Sequence, residues 1–395
     1  MPSKVRAIVT PELMVWAREK RARLTLEAAA KKIGRPKEEI EGWENGTLKP
    51  TMPQARNAEE AYRVPLACFY MEKPPKGFAV LRDFRFLPDE YSPEYSPKLS
   101  LLAEETQDRQ QWMRDYLIME GRKRLDFVGS ADVTMEPRDL AKSIRKTLKT
   151  TPDDQISCSS RSDALKLWMQ SAEQAGIFVS RARDVSCLEA RGFAICDPYA
   201  PIIFLNTNDS KAAQFFTLAH ELVHIWINQT GVSNLEDIYS MPDTDEARIE
   251  IFCNKVAAEA VLDSKTFNHL WAERSKNRTI NEQIEVISGV FKVSEEVVAR
   301  RLLDKDVISQ HRYRELREYY QERWKEMEEK KKKGFAPYHL RMVVKRGYTF
   351  TQLVLGAYYR GSAAATEASA LLGAKVNHFN KVAYYAHLPE PPSQR

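Results

Sequence analysis

The chain has 395 residues, 43% hydrophobic and 10% aromatic, with 60 Lys and Arg against 55 Asp and Glu for a formal charge of +5. At roughly 100–200 residues per domain this length divides into several folding units rather than one, and the apolar content excludes a disordered chain. So small and mixed a surplus in a chain that is 29% charged does not make non-specific nucleic-acid binding the default reading, and any DNA contact is expected to be local. The opening MPSKVRAIVTPELMVW has no long apolar core and no small-residue cleavage site. No apolar run approaches the ~18 residues of a membrane span. A soluble, cytoplasmic protein without a membrane partner is expected. Cys68, Cys158, Cys187, Cys196 and Cys253 are scattered and form no CxxC pair. They read as small buried hydrophobes, with only Cys187 and Cys196 near enough in sequence to suggest pairing.

Residues 11–70 read as a succession of short helices. Leu13, Trp16 and Ala17, then Leu26, Ala29, Ala30 and Ile33, recur at helical spacing. Thr25 is an N-cap for LEAAAKKI, Gly34 ends that helix, and PKEEIEGWENG forms the next. Two short helices joined by a tight glycine turn make a helix-turn-helix. Pro65, Pro74 and Pro75 and the segment KPPKGFAVLRDFRFLPDEYSPEYSP mark a linker, so the first domain is expected to span 1–73. The helix after the turn is the one that reads bases in such a module. Arg35 and Lys37 on it, and Lys49 beyond it, are the DNA-binding candidates, with Trp43 expected in the core. Glu38, Glu39, Glu41 and Glu44 leave this stretch at about −2, which opposes attraction to phosphate.

Residues 74–135 carry the linker and a connector helix, LSLLAEETQDRQQWMRDYLIMEG. From 136 the pattern turns mixed. Helices at DLAKSIRKTL and SRSDALKLWMQSAEQAG lead to the apolar run IFVS, and GFAIC and PIIFLN fit adjacent strands of a small sheet. The strongly apolar helix AAQFFTLAHELVHIWIN follows, then a polar loop and the helix DEARIEIFCNKVAAEAVL; two short helices in INEQIEVISGVFKVSEEVVARRLL complete a unit of 136–305. Residues 306–395 open with RYRELREYYQERWKEMEEKKKKG, whose opposite charges at helical spacing suit a solvated face, and continue as a helical tail without evident chemistry. The fold class is α+β and mostly helical.

Chemistry concentrates in His220-Glu221-Leu222-Val223-His224. Histidines at i and i+4 lie one turn apart on one helix face, where both imidazoles can converge on one Zn2+ while Glu221 reaches the water-filled position. Burying two His and a Glu in so apolar a helix is costly without a purpose. A third ligand is required, and the following helix offers Glu246, Glu250 and Glu259. Glu250 shares a face with Cys253, Asn254 and Ala257, the small-residue face that a close helix pair needs.

The segments FFTLAHELVHIWI and IEIFCNKVAAEAVL resemble the ImmA/IrrE family of bacterial metallo-endopeptidases, which share a phrase FTLAHELGH and then E-x-x-(A/C)-N-x-(F/V)-A-A. GFAICDPYAPIIFLN is similar to the family's region before the zinc helix. An Xre-type helix-turn-helix followed by Asp83-Phe84-Arg85 resembles its longer members. The resemblance implies a gluzincin-like domain over 136–305 between the helix-turn-helix domain and a helical C-terminal extension. It implies His220, His224 and Glu250 as ligands of Zn2+, Glu221 as general base, and a protein substrate, most often a helix-turn-helix repressor. Ile203, Phe204, Leu205 and Asn206 are expected to pair with an extended substrate backbone, as sheet-edge proteases do. Tyr239 and Arg248 lie near in sequence, and no oxyanion-stabilising residue is assigned. The alternative is a DNA-binding regulator or toxin-antitoxin component with a non-proteolytic zinc site; self-association is compatible with either.

Overall fold

Thr25 accepts a hydrogen bond from the Ala28 main chain at 3.2 Å, and Gly34 closes the helix between them in the left-handed conformation, φ 74°. The computed structural model describes residues 6–22, 24–62, 64, 66–73, 82–83, 96–233, 244–274, 278–329 and 337–388. Its contacts divide the chain into two units, Met1–Val80 with Tyr95–Leu101, and Leu81–Glu94 with Leu102–Arg395.

The first unit holds α1 (Pro11–Trp16) with a π-helical turn after it, α2 (Leu26–Ile33), α3 (Lys37–Glu44), α4 (Met52–Tyr62) and a 3-10 turn at Leu66–Tyr70. Met14, Ala29, Ile33, Ile40, Trp43, Tyr62 and Phe69 form its core. Trp43 is buried as expected. Two glutamates of α3 act as internal staples. Glu44 receives Arg18 at 2.7 Å and 2.9 Å, and Glu39 receives Arg35 together with Gln54.

α5 (Pro97–Met119) leads into the second unit. There follow α6 (Pro137–Leu148), α7 (Pro152–Ile156), α8 (Arg161–Gln174), α9 (Lys211–Trp226), α10 (Asp245–Val261), α11 (Ser264–Arg274), α12 (Ile280–Phe291) and α13 (Glu295–Asp304). The chain ends its described part with α14 (Gln310–Glu329), α15 (Tyr338–Arg346), α16 (Tyr348–Tyr359), α17 (Ala365–Leu372) and α18 (Phe379–Tyr385). Five strands, β1 (Arg82–Asp83), β2 (Phe178–Ala182), β3 (Gly192–Ile195), β4 (Ile202–Asn206) and β5 (Gly231–Ser233), form one sheet in the order β1-β5-β3-β4-β2. β3 runs antiparallel to β4 and β5, while β2 pairs parallel with β4 and β1 parallel with β5. The chain is thus mostly helical with a small mixed sheet.

The adjacent-strand expectation holds, Gly192 facing Leu205 and Ile195 facing Ile202. The expected free edge on β4 does not. β4 has β3 on one side and β2 on the other, and all five of its residues are buried. Ile203, Phe204, Leu205 and Asn206 therefore have no edge to offer a substrate strand. Asn206 instead donates its side-chain amide to the Val185 and Ala190 carbonyls at 3.0 Å and 2.8 Å. The core of this unit joins β4, α8, α9, α10, α12 and α13, including Trp168, Phe215, Trp226, Val256, Phe291 and Leu302. Tyr313 and Leu316 of the charged α14 enter this core, and Arg317 bonds Glu296 of α13 at 3.2 Å. Its ion pairs are therefore partly inter-helical rather than only a solvated face. The five cysteines are free.

Candidate metal centre

Ser210 starts α9 by accepting from the Ala213 main chain at 3.1 Å, and the preceding Asp209 is held by Arg191 at 3.0 Å. Thirteen of the sixteen residues of α9 are buried, because the helix runs between the sheet and the neighbouring α8 and α10. That position explains why the segment is apolar all round rather than on one stripe. It also makes the polar exceptions costly, since unpaired buried charges lose several kcal/mol of hydration.

His220, Glu221, His224 and Glu250 are each at most 1% exposed. The two Nε2 atoms face each other at 3.1 Å. Glu250, one helix over on α10, places Oε2 3.1 Å from the His220 Nε2 and Oε1 3.1 Å from the His224 Nε2. Asn254, one turn after Glu250, holds the His220 Nδ1 at 3.0 Å through Oδ1. With that oxygen as acceptor, His220 carries its proton on Nδ1 and turns the Nε2 lone pair inward. Two imidazole nitrogens and a carboxylate that meet at one point are a donor set able to hold a divalent cation, and its chemistry suits zinc.

Burial would raise the Glu250 carboxyl, but the His220 and His224 rings outweigh it and bring it down to about 2. Burial holds the His224 imidazole below its ordinary range against the opposing pull of Glu250. Both groups thus keep their lone pairs near neutral pH.

Glu221 owes its place to a glycine. A Cβ built on Gly192 of β3 would lie 2.5 Å from the Thr217 methyl, 3.0 Å from Glu221 Oε1 and 3.0 Å from the Phe204 carbonyl oxygen. Only a residue without a side chain lets α9 and the Glu221 carboxylate approach the sheet this closely. Gly192 and the supporting role of Asn254 escaped the sequence reading. A glycine opening a strand and an Asn four residues after a Glu are signals too short to single out alone.

Cys253 is a competitor for the third position, since ligand atoms of His220, His224 and Cys253 all lie within 4.8 Å of one another. Burial first, then the Glu250 and Glu221 charges, push its thiol well above the ordinary range. Glu250, whose carboxylate faces both Nε2 atoms, and Cys253 are both candidates for the third position. Glu259 is engaged elsewhere, by Arg301 at 2.6 Å and Ser264 at 2.7 Å, and Glu246 is half-buried a turn before Glu250. Arg248 is exposed near Asp245 at 3.7 Å. Tyr239, Phe84 and Arg85 lie outside the described residues.

In the first unit, Arg35 is bonded to Glu39 at 2.8 Å and 3.0 Å, Lys37 is paired with Glu27, and Lys49 is exposed, its carbonyl accepting from Arg6 at 2.6 Å. Two of the three DNA candidates thus already carry carboxylate partners.

No curated protein matches the chain. Residues 172–303, about a third of its length, match the sequence model of the IrrE N-terminal-like domain, a peptidase family. The matched stretch runs from the end of α8 to α13 and contains all of the residues gathered around His220, so this part of the chain is similar to a metallopeptidase domain of the IrrE kind.

Proposed function

We propose that the second unit is a zinc-dependent endopeptidase in which His220, His224 and Glu250 hold the metal and Glu221 is the general base. The observation that carries this reading is the meeting of both Nε2 atoms and the Glu250 carboxylate at 3.1 Å inside a closed apolar helix pair. Three protein donors with a further carboxylate alongside describe an open catalytic site rather than a closed four-ligand structural one. When bound, zinc supplies a Lewis acid that lowers the pKa of its water towards ~7 and polarises the scissile carbonyl. Glu221 takes the proton of the attacking water and delivers it to the leaving amine, so one carboxylate serves as base and then as acid. Asn254 fixes the tautomer and tilt of His220, and the surrounding α8, α9 and α10 side chains exclude bulk water. The substrate class that the resemblance supports is a partner protein, a helix-turn-helix repressor or antitoxin-like regulator. A DNA-binding use of Arg35 and Lys37 has the Glu39 and Glu27 pairings against it.

Metal analysis and co-expression test the reading together. His220→Ala and Glu250→Ala are expected to lose bound zinc, Cys253→Ser to keep it, and Glu221→Gln to keep it while losing cleavage of helix-turn-helix regulators encoded beside the gene. Cleavage by Glu221→Gln would overturn the general base. Zinc lost from Cys253→Ser but kept by Glu250→Ala would transfer the third position to the thiol.

A further inference from the structure

Beyond Asn254 the groove between α9 and α10 opens into a cleft of about 720 Å3, walled on its far side by α13 and α14 and at one end by the start of α6. That volume lies within the roughly 300–1,000 Å3 of ligand-holding clefts. It adjoins the metal centre at two places. Asn254 lines it and bonds His220, and Arg191 lines it immediately before Gly192, the residue against Glu221.

Its charge is unbalanced. Seven Lys and Arg side chains and four carboxylates line the cleft. Three of those carboxylates are neutralised within it: Glu259 by Arg301 at 2.6 Å, Asp304 by Arg300 at 3.1 Å and Glu296 by Arg317 at 3.2 Å. Arg191 is taken by Asp209 at 3.0 Å. Arg138, Lys255 and Lys305 remain, all exposed and without an ion pair among the described residues, against Glu136 in the lining and Asp263, which feels the charge of Arg138 from just outside it. The beginnings of α6, α9 and α11 also present Pro137, Ala213 and Ser264 to the cleft, three positive dipole ends against the negative last turn of α10 at Ala258 and Glu259, while α13 lines it with both of its ends. Phe216, Ala258 and Val297 supply apolar wall between the charges, as a side-chain-bearing peptide requires and a small inorganic anion does not.

We propose that this cleft seats the substrate chain beside the scissile bond and selects a segment rich in Asp and Glu side chains. The assignment rests on the peptidase reading above and deepens it to a substrate class. Lys255 and Arg138, on two different walls, would each face a carboxylate of the bound segment, and Lys305 would extend the selection towards α14.

The test uses the full-length Glu221→Gln chain, loaded with zinc and unable to turn over, and fluorescein-labelled peptides of alternating Glu and Ala or alternating Lys and Ala. Anisotropy is expected to show binding of the Glu peptide only. The triple variant Arg138→Glu, Lys255→Glu, Lys305→Glu should weaken that binding ~10-fold or more, and Lys375→Glu, an exposed charge outside the cleft, should leave it unchanged. If the triple variant fails to fold by circular dichroism, Lys255→Glu alone serves, with a loss of about 3-fold expected. Equal affinity for the two peptides, no binding of either, or a cleft variant that binds as tightly as its parent would overturn the assignment. Zinc content measured on the same samples separates this outcome from failure of the metal site, because the cleft cations lie outside the ligand set.

Discussion

The Glu221 carboxylate occupies space that a methyl group on residue 192 would contest. An added Cβ meets the Thr217 methyl at 2.5 Å and a fixed main-chain oxygen of Phe204 at 3.0 Å. The contact is therefore relieved by displacing α9, and Glu221 with it. Overpacking of this kind costs about 1–3 kcal/mol. A misplacement of a catalytic group by around 1 Å costs on the order of 100-fold in rate. Gly192→Ala is accordingly expected to lower the melting temperature modestly, keep zinc, and reduce turnover out of proportion to the loss of stability. Zinc is expected to stay because the clashing contacts are with Thr217, Glu221 and Phe204 and none is with His220, His224 or Glu250. Turnover and melting temperature both equal to wild type would show that Gly192 does not set the position of Glu221.

Elements were legible in the sequence where their cause is local. α9 carries its apolar length and the HELVH spacing, and α2 carries Thr25 and Gly34; both helices form as those signals indicate. Elements whose cause lies elsewhere in the chain were not. β1 and β5 have two and three residues and exist because β5 pairs with β3 and β1 in turn pairs with β5. The edge assigned to β4 failed because its parallel partner β2 lies before it across β3, a non-local pairing that alternation along one strand does not encode. The start of α16 depends on a distant residue in the same way. Its N-cap is Gly347, which has no side chain to offer, and Glu173 at the end of α8 supplies the carboxylate, hydrogen bonded to the main chain and hydroxyl of Thr349. Burial raises the Glu173 carboxyl to about 7 despite those bonds and the nearby Arg181. Since the folded value lies above the unfolded one, the native state holds the extra proton, and stability falls as pH rises from about 5 through 7. With solvent screening allowed for, the loss is about 1–3 kcal/mol. Glu173→Gln is expected to flatten this part of the curve of melting temperature against pH, and an unchanged slope in that variant would assign it to other groups.

The sheet of the second unit has two ends, and each is closed by chain from far away in sequence. At one, Arg82 and Asp83 add parallel to Gly231 and Val232. At the other, β2 would be an exposed edge, since in its parallel ladder with β4 the main chain of Phe178, Ser180 and Ala182 points at β4 and that of Val179 and Arg181 points away. α15 and α16 lie against that outward side. Gly347 between them, at φ 96°, approaches so closely that a Cβ there would fall 2.6 Å from the Val179 carbonyl oxygen. Residues 337–388 therefore give the second unit a covered edge in place of a row of unpaired main-chain groups. They also contribute core side chains such as Val343, Phe350 and Val354, each stabilising by about 1.5–3 kcal/mol on burial. Ending the chain at residue 336 leaves His220, Glu221, His224 and Glu250 and all five strands in place but uncovers β2. The shortened protein is expected to lose soluble yield and to elute as higher oligomers on size exclusion, with its soluble fraction still binding zinc. A monomer that melts with the full-length chain would show instead that the C-terminal helices are dispensable to the sheet. A monomer that is soluble but free of zinc would show that the order of the metal centre depends on closure of an edge two strands away from Gly192.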